Sequence, residues 1–284
     1  MKVGIDIGAS TIKIGSLNPK TKASHFKKLG QYFILTGIPT DDDFRKTGQS
    51  VAGLIKEIFG QPKKVVIGCF GPLELKKKKI LKAPNRPSWS GADFHLWEDY
   101  LGAEILLEND ANLAIYGEAK VGAGKGCQIV AGFTLGSGVG YGCVIDGKIY
   151  HGNWDAEAGH LILDPQGPLC GCGQRGCLEA YISAKAIKQR FGQEPAQLEN
   201  EKAWDWIASK IAQGIQIITT IVKPDLFVLV GGIARRKGLL QKVQKRYQKL
   251  LRIYPKEATK TKIALGKYLE HAGVIGAIEL PMPS

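Results

Sequence analysis

The stretch Lys2-Val3-Gly4-Ile5-Asp6-Ile7-Gly8-Ala9-Ser10-Thr11-Ile12-Lys13-Ile14 decides the fold. Its first six residues make a short apolar strand, Gly8 to Thr11 supply a turn, and Ile12, Ile14 and Leu17 suggest a returning strand. Working outward, helical spacing runs from about Asp43 to Phe59, a strand spans Lys64 to Cys69, and Gly71-Pro72 breaks it. A strand from Glu104 to Glu108 enters Asn109-Asp110-Ala111-Asn112, whose side chains can cap a helix reaching about Val121. Two β-branched strands between Cys127 and Tyr150 enclose Leu135-Gly136-Ser137-Gly138-Val139-Gly140. A long helix over residues 202–222 and a buried strand from Leu226 to Val230 follow, and the strand closes on Gly231-Gly232. Strands alternating with helices imply an α/β fold, and hairpins near residues 3–17 and 128–150 hint at a duplication.

At 284 residues with 44% apolar content, the chain has material for two domains with real cores. No stretch approaches the roughly 20 uninterrupted apolar residues that span a membrane. The opening Met1-Lys2-Val3 shows no signal-peptide pattern, so the expected compartment is the cytoplasm, with no membrane partner. A net charge of +13 invites a nucleic-acid reading. Against it, lysines look scattered apart from Lys76-Lys77-Lys78-Lys79, which reads as a solvated hairpin between Pro72 and Pro84. Neither interleaved aromatic residues nor a helix-turn-helix pattern accompany that run, so no specific nucleic-acid partner is expected.

The run Gly159-His160 followed by Cys170-Gly171-Cys172 and Gly176-Cys177-Leu178-Glu179 places three thiols, an imidazole and a carboxylate within about twenty residues. His160, Cys170, Cys172 and Cys177 make a complete tetrahedral shell for Zn²⁺, with no position left for an activated water, so the ion would be structural. Disulfides are the competing reading. Six cysteines in 284 residues are sparse for an oxidised scaffold, and Cys69, Cys127 and Cys143 sit alone in apolar runs as reduced core residues. An ion-free Gly/Cys loop ranks lower, since it would bury little.

Glycine-rich turns after strands suit phosphate, because backbone N–H groups approach anionic oxygens without interference from a Cβ. Three are present, at Gly8, at Gly136 to Gly138, and at Gly231-Gly232. Tight turns need glycine whatever the ligand, and neither a P-loop nor a dinucleotide fingerprint occurs. Asp110 would sit where a strand meets a helix; helix capping is its plainer role.

Taken in order, Asp6-Ile7-Gly8, Ala83-Pro84-Asn85, Glu108-Asn109-Asp110-Ala111, Thr134 to Gly138, Glu157-Ala158-Gly159-His160 and the Cys170 to Glu179 run resemble the ROK family of sugar kinases. The resemblance extends from Lys2 to about Gly276. It implies the actin-like ATPase (ribonuclease H-like) fold, in two domains with a cleft between them that closes on sugar and ATP. The small N-terminal domain would cover residues 1–112, joined by the C-terminal helix at about 270–284, and the larger domain residues 113–269. By the same resemblance, Asp110 is the catalytic base, and Asn85, Asn109, Glu157, His160 and Glu179 hold the sugar hydroxyls. Asp6, Gly8 and Ser10, with Gly136, Ser137 and Gly138, face the phosphates and Mg²⁺, and Gly231 and Gly232 lie beside adenosine. A homodimer or larger homo-oligomer is also implied.

Phosphoryl transfer asks mainly for positioning, charge neutralisation and a placed carboxylate, which these residue types supply. Each has a structural alternative: Glu179 as a surface helix residue, Asn85 as part of a proline-rich turn. Trp89 is read as a packing anchor. Ala9 stands where the family usually has a second glycine, Thr11 where Lys or Asn is common, and Tyr141 where another glycine often follows. These departures, with the lysine run, keep polyphosphate open as donor in place of ATP. Glucose is the family's first expectation; an N-acetylhexosamine or fructose is the runner-up. A sugar-sensing regulator is disfavoured because family repressors place a helix-turn-helix ahead of the first strand, which here begins at residue 2.

Overall fold

The structure, a computed structural model, describes residues 1–20, 26–83, 86–251 and 260–282. The chain divides into two compact units, one of Met1–Gly117 with His271–Ser284, the other of Glu118–Glu270.

In the first unit β1 (Lys2–Ile7) and β2 (Thr11–Ser16) form the expected antiparallel hairpin. On its outer side stand β3 (Lys27–Leu29) and β4 (Tyr32–Pro39). On its inner side β5 (Lys64–Cys69) and β8 (Glu104–Asn109) run parallel to β1, giving the order β3-β4-β2-β1-β5-β8. Val3, Ile5 and Ile7 of β1 are fully buried, as an apolar central strand requires. The crossover helix α1 (Phe44–Ile58) starts where expected, because the Asp43 carboxylate accepts from the N–H groups of Arg45 and Lys46. Trp89 is wholly buried and packs with Phe44 and Trp97, the latter on α2 (His95–Leu101).

The lysine run does form a hairpin, between β6 (Leu73–Glu74) and β7 (Lys79–Ile80). It is not simply solvated: Lys77 pairs with Glu74 at 2.8 Å, Lys78 with Glu98 at 2.7 Å, and Lys79 with Asp93 at 3.1 Å. Nor are the cations of the chain scattered. Between Arg235 and Lys267 lie 12 of the 39 Lys and Arg residues but one of the 26 Asp and Glu residues, so most of the net charge comes from that segment.

The chain leaves β8 through α3 (Asp110–Val121). In the first unit α8 (Ala272–Glu279) lies directly on β1: a Cβ on Gly4 would stand 2.8 Å from Ile278 N and 2.8 Å from Val274 O. Gly276 lets α8 meet α3, since a Cβ there would be 1.9 Å from Leu113 O.

The second unit repeats the topology. β9 (Ile129–Leu135) and β10 (Val139–Ile145) form an antiparallel hairpin extended by β11 (Lys148–Ile149), and β12 (Leu226–Val230) and β13 (Lys262–Leu265) add parallel to β9. The order is β11-β10-β9-β12-β13. Helix α6 (Glu201–Ile221) buries Trp204, Ile207, Ile211, Ile215 and Ile218 at helical spacing in a core shared with Phe133 and Phe227. Helix α7 (Leu239–Leu250) buries only Leu239, Val243 and Tyr247 and turns its basic face outward. No helix among the described residues is long and apolar enough to cross a membrane.

Candidate active site

In the first unit the polar residues gather at the carboxyl ends of parallel strands, where open α/β sheets bind ligands. Asp6 is the fifth residue of β1 and is nearly buried, with its carboxylate 2.9 Å from Lys13 Nζ. A Cβ on Gly273 would lie 2.9 Å from the Asp6 carboxyl carbon, so the first turn of α8 reaches that carboxylate only as glycine. Across the sheet, Asn109 ends β8 and caps α3: its side-chain oxygen accepts from Ala111 N at 2.9 Å and Asn112 N at 3.1 Å. Buried Glu108 braces the junction, accepting from Asn109 N at 2.8 Å and Asn112 Nδ2 at 3.0 Å. Asp110 opens α3, half-buried, and its Oδ1 accepts from Ala111 N at 2.8 Å, the same N–H that Asn109 Oδ1 caps.

Cys69 ends β5, in register with Ile7 on one side and Asn109 on the other. Burial, then the Asp110 carboxylate, then Asp6, push its thiol well above the ordinary value. The neutral cysteine thus sits in the field of both carboxylates, one strand from each. The Gly8–Ser10 turn beside Asp6 is closed by Gly8 N donating to Thr11 O at 3.0 Å. Its Ala9 and Ser10 N–H groups have no protein acceptor among the described residues. Two carboxylates and two free N–H groups suit a divalent cation and the phosphate oxygens it carries. Asn85 lies outside the described residues.

In the second unit a Cβ on Gly231 would be 2.5 Å from Leu135 O, and the φ of 93° there also calls for glycine. The close approach sets Gly231-Gly232 beside the Gly136–Gly138 turn. That turn is held by Gly136 N to Gly138 O at 3.0 Å and by Ala184 N to Gly136 O at 2.8 Å, with Ser137 at its apex. A Cβ on Gly136 or Gly232 would meet nothing within 4 Å, so backbone faces open space there.

Glu179 opens the short helix α4 (Glu179–Ile182), and its Oε2 accepts from Val139 N at 2.9 Å. Its Oε1 lies 4.0 Å from Cys170 Sγ, so one carboxylate touches both the glycine turn and the thiol cluster. His160 ends a turn of 3₁₀ helix at Ala158–His160, and Gly159 within it passes so close to Val139 O that a Cβ would be 1.9 Å away. Glu157 precedes that turn. Loss of water around its carboxyl holds it above the usual carboxylate range; His160 opposes this, while Asp155 and Glu179 add to it.

The ligand atoms of His160, Cys170, Cys172 and Cys177 all lie within 4.8 Å of one another. Cys170 Sγ is 3.5 Å from His160 Nδ1, and Cys172 Sγ is 3.7 Å from Cys177 Sγ. Two Zn–S bonds of about 2.3 Å at a tetrahedral angle separate their sulfurs by about 3.8 Å, so the donor set fits zinc; a disulfide needs about 2.05 Å. All six cysteines are free thiols. Cys127, expected in the core, is half-buried because it ends the turn leading into β9 rather than lying in the strand.

Three contacts of the first turn were missed from sequence: Lys13 on Asp6, and Thr40 and Arg86 on the turn's carbonyl oxygens. Lys13 alternates with Ile12 and Ile14 as an outward strand position, and nothing local marks the others.

The ROK family model matches residues 2–282. A glucokinase of Thermotoga maritima is 27% identical, over 98% of this chain and 96% of that protein. An N-acetyl-D-glucosamine kinase of Vibrio atlanticus is 27% identical over 98% of each chain. Among solved structures, a ROK family glucokinase from Streptomyces griseus in complex with glucose and AMPPNP matches with a TM-score of 0.80 at 25% identity, covering 98% of both chains.

Proposed function

This chain belongs to the ROK family and is a sugar kinase of the actin-like ATPase fold, and from that premise we propose that it transfers the γ-phosphoryl group of ATP, with Mg²⁺, to the 6-hydroxyl of glucose. The observation that carries the reading is the pair of carboxylates, Asp6 and Asp110, at the ends of parallel strands with one strand between them, Asn109 sharing the cap of α3 with Asp110. Asp110 accepts the hydroxyl proton as the sugar oxygen bonds to the γ-phosphorus and the bond to the β-phosphate oxygen breaks, leaving ADP. Asp6 and the Ala9 and Ser10 N–H groups receive Mg²⁺ and phosphate; the Gly136–Gly138 turn and Gly231-Gly232 receive the rest of the nucleotide. Asn109, Glu157, His160 and Glu179, with Asn85, hold the hydroxyls, whose mixed donor and acceptor character suits carboxylates and amides.

Zn²⁺ held by His160 Nδ1, Cys170, Cys172 and Cys177 supplies rigidity. It fixes the tautomer of His160 and leaves Nε2 for the sugar. The likeness to an N-acetyl-D-glucosamine kinase supports a second reading, an N-acetylhexosamine as acceptor. Family likeness also supports a homodimer.

The test is ADP release from Mg-ATP over glucose, mannose, fructose, N-acetylglucosamine and N-acetylmannosamine. Turnover with glucose foremost supports the proposal, and turnover with an N-acetylated sugar foremost moves the acceptor. No turnover with ATP, but turnover with polyphosphate, changes the donor, and none with either leaves a binding protein.

A further inference from the structure

We propose that Lys13 is a phosphate-binding residue of the donor site, its ammonium resting on Asp6 and taking an oxygen of the donor's phosphate chain beside the Gly8–Ser10 turn. The proposal deepens the kinase reading above and rests on it: Lys13 recognises the oligophosphate part of the donor, not its adenosine.

The register of the hairpin puts Lys13 there. β1 and β2 pair Gly4 with Gly15, Ile5 with Ile14, Asp6 with Lys13 and Ile7 with Ile12. Alternation along a strand sends Ile5, Ile7, Ile12 and Ile14 to one face, where all four are fully buried. Gly4, Gly15, Asp6 and Lys13 share the other face. Helix α8 closes on the glycine rung: a Cβ on Gly15 would meet Ile278 Cδ1 at 3.0 Å and Val274 Cγ2 at 3.1 Å. The next rung on that face, towards the turn, is Asp6 with Lys13, whose charged atoms are 2.9 Å apart and whose side chains keep 12% and 19% of their surface in solvent. Just beyond them lie the Ala9 and Ser10 N–H groups, which have no protein acceptor among the described residues.

On the other flank β4 carries a bulge. Ile12 pairs with Ile38 but Ile14 with Leu35, so Thr36 and Gly37 together stand opposite Lys13. Bulges bend a strand and re-aim the side chains beside them, and Gly37, at a φ of 81°, adds no side chain to that flank. A mostly buried ion pair contributes little stability by itself, because desolvation offsets most of the attraction. Its chemistry suits an anion. Asp6 and Asp110 together repel a polyphosphate, whereas the Lys13 ammonium cancels the charge of Asp6 and, with three N–H donors, can serve a carboxylate and a phosphate at once. Position 13 is not where the family commonly carries a lysine; that is position 11, which here is Thr11.

The test is calorimetric titration of inorganic pyrophosphate, with Mg²⁺ and again with EDTA, and of adenosine, on wild type, Lys13→Met and the double variant Asp6→Asn/Lys13→Met, beside glucose turnover with ATP. Lys13→Met should weaken pyrophosphate binding by about tenfold or more in both conditions, the worth of one hydrogen bond to a charged group, and leave adenosine within about twofold. Unchanged pyrophosphate affinity overturns the proposal, and a fall for both ligands together marks a structural pair and overturns it too. In EDTA the double variant should stay weaker than wild type; wild-type affinity there would mean that Lys13 acts only by neutralising Asp6, which refutes the contact. A measurement on wild type needs no variant to fold: pyrophosphate should slow acylation of Lys13 by acetic anhydride, read on peptides by mass spectrometry, and adenosine should not. Equal acylation with and without pyrophosphate overturns the contact. A wild type that turns over glucose, while Lys13→Met binds pyrophosphate as before, refutes the role of Lys13 alone. A wild type that turns over no sugar, with pyrophosphate binding still lost in Lys13→Met, refutes the kinase reading and keeps the phosphate contact.

Discussion

Glu157 shows how a single residue's environment becomes measurable. The residue as a whole is exposed, yet partial removal of water from its carboxyl raises the folded-state pKa, against the pull of His160 and with help from Asp155 and Glu179. The folded protein then holds that proton more tightly than the unfolded chain does. Stability from Glu157 is full below the carboxylate range and is lost as pH rises through the folded pKa. Glu157→Gln, which carries no charge to bury, should therefore raise Tm at pH 7, and the gain should close as pH falls towards 4. Melting curves across that range check it, and a gain independent of pH would contradict it. Asp110 was legible as a residue because Asn109, its neighbour in sequence, could take the capping role. Arg86 was not, because its partner Ala9 stands 77 positions away and no local pattern announces a guanidinium on a carbonyl oxygen.

Among elements, the metal loop and α8 are set by close approach. The loop from His160 to Glu179 has Leu169 66% exposed and is tied by backbone bonds such as Cys170 N to Gln174 O, and zinc on its four clustered ligands, as proposed, would add the remaining hold. A chelator should make Cys170, Cys172 and Cys177 label rapidly with a thiol reagent while Cys69 and Cys143, buried in strands, stay protected, and sugar affinity should fall as Glu179 loses its support. Mass spectrometry of labelled peptides reads this directly, and equal labelling before and after chelation would exclude a metal. For α8, Gly276→Ala forces a methyl group against Leu113 O, with no flexible side chain to give way. It should destabilise the protein by about 1–3 kcal/mol, read as a lower urea midpoint. Elements with a strong period or a clear cap were legible: β1, β5, β8, α1, α6 and β12 fall within a residue or two of expectation. Others were not. β3 is a three-residue outer strand, and α7 shows only Leu239, Val243 and Tyr247 against a lysine-rich background, too thin an apolar stripe to announce a helix.

For the whole molecule, the hairpin suspected twice in the sequence proves to be the start of the same sheet topology in both units, an antiparallel pair followed by two parallel strands. Parallel strands end in glycine turns in both sheets, and in the first also at the carboxylates Asp6 and Asp110, an arrangement that suits phosphate and a cation without a nucleotide fingerprint. The net charge, which reads as spread evenly along the sequence, collects instead between Arg235 and Lys267, directly after the Gly231-Gly232 turn. The central claim is that Asp110 is the base of a sugar kinase, and the most direct measurement compares wild type with Asp110→Asn for both ADP release and calorimetric glucose binding. The account predicts turnover reduced by about 10²–10⁴-fold, the usual worth of general-base catalysis, with glucose still bound at close to wild-type affinity. Turnover in Asp110→Asn equal to wild type would contradict it.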